Sequence, residues 1–335
     1  MNSWLSRLGL LIVSCLFSLL LLEALLRLGV IPSFVHLRNT PIGSTHPKKK
    51  ILILGDSFID RRGALNDFLD QAFKPLEIQA LNTAYAGMGP KEYLAEFSVN
   101  IDRYAPDMVF LSIFVGNDFV GALPFSESSS HVWNEFKRTV RPIAKKFYLY
   151  HFYQEINFYF KSSWMLRLQS PISEINQLIG EGKMNPYLFV NAASIPNVFL
   201  ENLIILPNSP KTTIMLAEFK KILDQINTEC RKRNIPWMMV VFPESAQLSE
   251  QHYRFIESLG YKMDPQILSS RNPQIWLQNY CEVTKIPCHD FTQDFEKEDA
   301  ESLYRPYDVH LNEQGASFAA HRILEFIKLV EAKKD

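Results

Sequence analysis

Charge of either sign is not in excess in this sequence: 35 Lys and Arg stand against 36 Asp and Glu over 335 residues, a formal net charge of −1. That balance offers no electrostatic reason to expect nucleic acid as a partner. Cysteine is scarce, at four residues. Neither a paired Cys-x-x-Cys nor a His-Glu-x-x-His spacing occurs, so no metal route and no cofactor are expected. No fixed-period repeat and no long low-complexity tract is evident, which argues against a solenoid. What is present, 47% hydrophobic residues in a chain of this length, suits one sizeable α/β domain with additions.

The longest apolar run lies at the amino terminus, where residues 8–22 are almost wholly apolar and the run continues to Ile31 before Pro32 stops it. About 20 residues span a bilayer, so residues 1–31 are expected to form a transmembrane anchor, with Glu23 and Arg27 paired at i, i+4 near its exit. A cleaved signal is the rival reading, but no small-x-small site follows the apolar core, and Glu23 and Arg27 sit where one would fall. The run Ile12-Val13-Ser14-Cys15 is lipobox-like, yet Cys15 stands in mid-run. Arg7 precedes the helix while Arg27, Arg38 and three lysines at 48–50 follow it, so the basic residues do not orient it. Residues 32–49, with Pro32, Pro41 and Pro47, read as a linker. Cys281 and Cys288 either close a small loop in an oxidising compartment or stay two partly buried thiols; both readings are open.

Further on, strands and helices alternate. Ile51-Leu52-Ile53-Leu54 is an unbroken aliphatic run, the mark of a strand buried on both faces, and Gly55 then lets the chain turn and present Ser57 at the strand's carboxyl end. Leu65, Phe68, Leu69 and Phe73 keep helical spacing, 78–84 reads as a second strand, and Ala86-Gly87-Met88-Gly89-Pro90 as a turn into a helix over 91–104. A third strand, 106–115, ends in Gly116-Asn117-Asp118. From 119 to 210 the alternation lapses. Residues 136–168 are rich in aromatics and carry Lys137, Arg138, Arg141, Lys145, Lys146, Lys161 and Arg167, which suits a surface for lipid head groups or sugar, or a helical insertion with a solvated basic face. Regularity resumes with an amphipathic helix at 211–234, a fourth strand at 237–242, a helix near 274–284, a short strand at 287–291 and a closing helix at 312–330.

In open α/β sheets the carboxyl edge binds ligands. Ser57 and Ser245 both follow strand ends there, but only Ser57 stands in a Gly-Asp-Ser turn. A serine needs a base, and His310 in Tyr307-Asp308-Val309-His310 supplies one, with Asp308 able to reach the ring if the segment is extended and residues i and i+2 face the same way. Gly87 is favoured over Gly89 as a backbone donor to a developing oxyanion, although both also fit a plain turn; Asn117 offers a neutral side-chain donor, or an Asx turn.

These four pieces, in this order, resemble the SGNH (GDSL-type) hydrolase superfamily in its membrane-anchored bacterial form. The resemblance covers roughly residues 50–330. It implies a three-layer α/β/α, flavodoxin-like fold with a parallel sheet over residues 50–333, interrupted by a helical insertion at about 119–210 and preceded by the transmembrane helix. It makes Ser57 the nucleophile, His310 the base oriented by Asp308, and Ser57, Gly87 and Asn117 the oxyanion hole. One residue separates Asp308 from His310 where many members have two; if Asp308 points away, a backbone carbonyl is the substitute orienter. The reaction implied is acyl transfer from an ester-bearing glycan or lipid of the cell envelope, to water in an esterase or deacetylase, or to a sugar hydroxyl in an O-acyltransferase served by a membrane acyl-donor partner. The catalytic domain is then expected outside the cytoplasm, in the periplasm. A non-catalytic SGNH-fold protein that binds glycan or assists envelope assembly is the reading from another class.

Overall fold

The computed structural model describes residues 2–28, 30, 41–123, 149, 152–153, 156, 173–181, 183–205 and 209–332. The chain divides into two compact units, residues 1–40 with 125–164, and residues 41–124 with 165–335.

In the larger unit six strands, β1 Ile42–Gly43, β2 Lys49–Leu54, β3 Ile78–Asn82, β4 Met108–Phe114, β5 Trp237–Phe242 and β6 Cys288–Asp290, form one sheet in the order β1-β3-β2-β4-β5-β6. Only β1 runs antiparallel. Every residue of β4 and β5 is buried, as are residues 51–54 of β2, which is why these segments read as unbroken apolar runs. The helices used below are α1 Ala64–Phe73, α2 Pro90–Tyr104, α3 Ser173–Gly180, α4 Pro186–Ser194, α5 Pro210–Lys232, α6 Glu250–Ser258, α7 Asn272–Thr284 and α8 Glu313–Ala332.

The strand order sets the layers. The crossover from β2 through α1 to β3 runs one way along the sheet, whereas those through α2, α5 and α7 run the other way. With right-handed crossovers α1 therefore covers one face and α2, α5 and α7 the opposite face. Packing agrees: α1 meets α8, α2 meets α5, and Tyr280 of α7 donates to Asp224 of α5 at 3.1 Å. The direction reverses between the adjacent strands β2 and β4, so the crevice where such sheets bind ligands opens beyond their carboxyl ends.

Two features were not expected from sequence. The proline-bearing stretch 32–49 contributes β1 as well as connecting; Gly43 adopts φ +90°, and a Cβ there would stand 2.3 Å from Ile78 O, so glycine is required for the close pairing. Helix α6 is capped by Ser249, whose Oγ accepts from His252 N at 3.2 Å. The described part of the 119–210 interruption is helical and is pinned to this unit: Asn202 Oδ1 accepts from Val120 N at 2.9 Å, and Tyr261 donates to Leu188 O at 2.8 Å. Lys137, Arg138, Arg141, Lys145, Lys146, Lys161 and Arg167 lie outside the described residues.

In the smaller unit the helix Asn2–Arg27 carries the expected pair, with Arg27 Nε donating to Glu23 Oε1 at 2.7 Å, and Glu23 Oε2 also accepts from Leu149 N at 2.7 Å. Leu10, Leu11, Val13, Leu16, Phe17 and Leu20 are exposed on that helix. Among the described residues no helix is long and apolar enough to cross a membrane.

Candidate active site

The turn after β2 is closely built against β4. A Cβ on Gly55 would come within 2.6 Å of Ile59 Cγ2 and 2.9 Å of Ser112 Cβ, so the turn tolerates only glycine there without a shift. Asp56 follows, fully buried, accepting from Phe58 N at 3.1 Å and from Ser57 Oγ at 3.5 Å. Burial pushes its carboxyl up to about 6, partly offset by the Phe58 N–H, the charge of His310 and the Asn117 side-chain amide. Ser57 itself is half-buried at the crevice edge. Beneath it the Phe58 ring stacks on Phe114 at 4.1 Å and lies 5.2 Å from Phe242 and 5.5 Å from the His310 ring. The Ser57 loop and His310 thus share one aromatic floor.

The loop after β3 is fastened to that turn by two polar groups. Buried Asn82 donates to Ile59 O and Asn66 Oδ1, both at 2.9 Å, and accepts from Ala84 N. Asp60 accepts from Ala86 N at 2.8 Å and from Arg62 at 2.6 and 3.0 Å. Burial opposes ionisation of Asp60, but the Arg62 guanidinium and these N–H groups together hold its pKa below the ordinary value. The two glycines then separate. Gly87 adopts φ +82° with nothing within 4 Å of where its Cβ would be, so it serves a left-handed turn facing open space, whereas Gly89 packs near the Cα of Gly121 and precedes α2 with extended backbone.

After β4, Asn117 starts a one-turn helix, its carbonyl accepting from Gly121 N at 2.9 Å. Its side-chain amide donates toward Asp56, while its Oδ1 is buried without a partner. Asp118 locks this loop in place, accepting from Phe114 N at 2.9 Å and from Tyr93 Oη at 2.7 Å. Burial, then the nearby Asp56 charge, raise the Asp118 carboxyl well above its usual range.

The Asp308–His310 segment is a bend and is not extended as expected. Arg305 N donates to His310 O at 3.0 Å and Asp308 N to Arg305 O at 3.2 Å, so the chain folds back and the two side chains meet across a turn. His310 Nδ1 and Asp308 Oδ1 are 2.7 Å apart, and Asp308 Oδ1 also takes the Val309 N–H at 2.8 Å. Burial works against both charges, yet the partners prevail: the His310 charge and hydrogen bond lower Asp308, and those of Asp308, with the charge of Asp56, raise His310. With Nδ1–H committed to Asp308, Nε2 is left as the acceptor, and it is buried with no partner. A Ser57–His310 hydrogen bond is therefore not formed in this state; such contacts are often long before substrate binds. Behind the bend Asn312 donates to Ser302 O and Tyr304 O at 2.8 and 3.1 Å, and a Cβ on Gly315 would lie 2.1 Å from Leu303 O.

Ser245, the rival nucleophile, is buried, and its hydroxyl donates to Glu244 Oε1 at 3.0 Å. Sequence reasoning passed over Glu244, Asp60 and Asp118; for Glu244 the signal was its place two residues after the end of β5, on the same edge. Cys281 and Cys288 are free, and a hydrogen bond between their thiols, followed by burial, raises Cys288 well above its ordinary pKa. They line a groove of about 1130 Å³ with Trp237 and Phe326, at the amino ends of β5 and β6 and so away from Ser57. Among the described residues no group of three or more His, Cys, Asp or Glu is placed to hold a metal ion.

No protein-family model and no curated protein matches the chain. Solved structures similar to it include a catalytic mutant of an acetylxylan esterase from Geobacillus stearothermophilus, 14% identical with a TM-score of 0.41 over 85% of this chain and 95% of that one. An acetyl xylan esterase is 11% identical with a TM-score of 0.42, over 82% and 98%. A lipase/acylhydrolase from Enterococcus faecalis is 10% identical with a TM-score of 0.43, over 84% and 95%.

Proposed function

We propose that this chain is a serine-dependent ester hydrolase of the SGNH type, or an O-acyltransferase using the same acyl-enzyme. The observation that carries the reading is the 2.7 Å hydrogen bond between His310 Nδ1 and buried Asp308, which leaves Nε2 as the basic nitrogen of a ring that lies 5.5 Å from Phe58, the residue after Ser57. Ser57 Oγ attacks the ester carbonyl as His310 Nε2 takes its proton; Asp308 stays ionised and steadies the imidazolium. The oxyanion accepts from the backbone N–H groups of Ser57 and Gly87 and from Asn117, whose amide has two donors, one for Asp56 and one to spare. His310 returns its proton to the leaving alkoxide. Water, or a sugar hydroxyl, then opens the acyl-enzyme by the same steps in reverse.

The reading is tested by turnover of p-nitrophenyl acetate by the full-length protein. His310 must be neutral to act, and its pKa is raised above 6.5, so kcat/KM is expected to fall as pH drops through a midpoint above 6.5. A midpoint well below 6.5 would mean that the Asp308-paired imidazole is not the titrating base. The unformed Ser57–His310 contact is the one observation a second reading starts from, a non-catalytic glycan-binding member of the fold; that protein would bind acetylated oligosaccharide and release no p-nitrophenol.

An acyl group carried by the cell envelope is the substrate we propose; the exposed leucines of the amino-terminal helix support it, as lipid-facing side chains would. Deleting residues 1–30 is expected to move the protein from the membrane pellet to the soluble fraction, and a carboxyl-terminal reporter active only outside the cytoplasm is expected to be active. A full-length protein that stays soluble, or a reporter active only in the cytoplasm, would remove the envelope assignment.

A further inference from the structure

Glu244 is the second residue after β5, on the carboxyl edge that carries Ser57 and Asn117, and is wholly buried. Its Oε1 accepts from Ser245 Oγ at 3.0 Å, and its backbone N–H donates to Gln247 Oε1 at 3.1 Å, part of a capping box on the turn Ser245–Gln247. The other oxygen, Oε2, has no hydrogen-bond partner. It lies against Gly116: a Cβ on that residue would stand 2.4 Å from Oε2 and 2.4 Å from Phe114 Cζ. Gly116 immediately precedes Asn117, and Val115 N donates to Phe242 O at 3.1 Å. The glutamate side chain therefore walls the turn that presents Asn117, and that turn requires glycine because the carboxyl occupies the space.

We propose that Glu244 is a positioning residue of this site, whose carboxyl packs on Gly116 to fix the Asn117 turn and whose charge state acts on His310. The proposal rests on the ester-hydrolase reading only in taking His310 as the base. Burial, offset by hydrogen bonds from Ser245 and the Ala246 N–H and by the charge of His310, pushes the carboxyl up to about 8. Burial thus favours the neutral carboxyl at pH 7. The titratable groups facing it are His310 and Asp308 from the bend, Tyr261, and Tyr304. Both tyrosine hydroxyls donate to carbonyls, of Leu188 and Pro243, and burial keeps them neutral. Asp56 is the further charge on His310. Above about pH 8 Glu244 adds a carboxylate that repels Asp308 and draws on the imidazole.

The test follows the ring signal of His310 by nuclear magnetic resonance in the full-length protein between pH 5 and 10, identified by its loss in His310→Gln. Wild type is expected to show a titration step near pH 8, that of Glu244. Glu244→Gln keeps the shape and the acceptor for Ser245 but cannot ionise, so this step should be absent while those of His310 itself and of Asp56 remain. Labelling of Ser57 by a fluorophosphonate gives a second readout: at pH 7 Glu244→Gln is expected to react within about twofold of wild type, and Glu244→Ala, which frees the turn, on the order of tenfold slower. A wild type with no step near pH 8, a step there that persists in Glu244→Gln, or an unimpaired Glu244→Ala overturns the proposal while leaving Ser57 in its role. A step near pH 8 that depends on Glu244, in a protein that never labels, would instead sustain the coupling and overturn the ester-hydrolase reading.

Discussion

Replacing Ser57 by alanine is expected to lower kcat/KM for a short p-nitrophenyl ester by at least about a thousandfold, the loss that accompanies removal of a covalent nucleophile. The fold should not suffer, because Ser57 is half-buried and its side chain makes a single long contact, 3.5 Å to Asp56 Oδ2. The thermal unfolding midpoint and circular dichroism of the variant should match wild type. Retention of most of the activity would move the chemistry elsewhere. Ser245 is a poor refuge for it, since its buried hydroxyl is committed to Glu244.

The second large effect separates the members of the Asp308–His310 pair. In the proposed mechanism His310 moves a proton in both half-reactions, so His310→Ala should cost on the order of a thousandfold or more, whereas Asp308 only orients and stabilises and should cost less. Part of the Asp308→Ala loss will come from the bend, because the same oxygen takes the Val309 N–H; Asp308→Asn, which keeps an oxygen there, sorts orientation from charge. The double variant Ser57→Ala/His310→Ala should be little worse than either single one, since nucleophile and base act as a unit and their effects do not add. Kinetics of the singles and the double on one activated ester decide it. Multiplicative losses would mean that His310 is not the base for Ser57.

Much of the larger unit was legible in the sequence because its central strands are buried on both faces. Residues 51–54, 108–114 and 237–242 could be read as strands from their apolar runs alone, and reading them placed Ser57, Asn117 and Ser245 on one edge. The pairing of Glu23 with Arg27 followed from helical spacing in the same way. What escaped the sequence depends on the third dimension. β1 is two residues long and exists only because Gly43 can approach Ile78. The bend at Asp308 is held by hydrogen bonds between Arg305 and its neighbours, and nothing in the Asp-x-His spacing distinguishes it from a strand. Asp60 and Asp118 look like ordinary loop acids in one dimension; their work is to tie loops that are 26 and 25 residues apart, through Ala86 and Tyr93.

The central claim, that Ser57 is a nucleophile activated by His310, is tested most directly by exposing the full-length protein to a fluorophosphonate and mapping the adduct by peptide mass spectrometry. The account predicts one stoichiometric adduct, on Ser57, that is absent in Ser57→Ala and formed at least about a hundredfold more slowly in His310→Ala. An adduct on another residue, or labelling of Ser57 that is indifferent to His310, would contradict it.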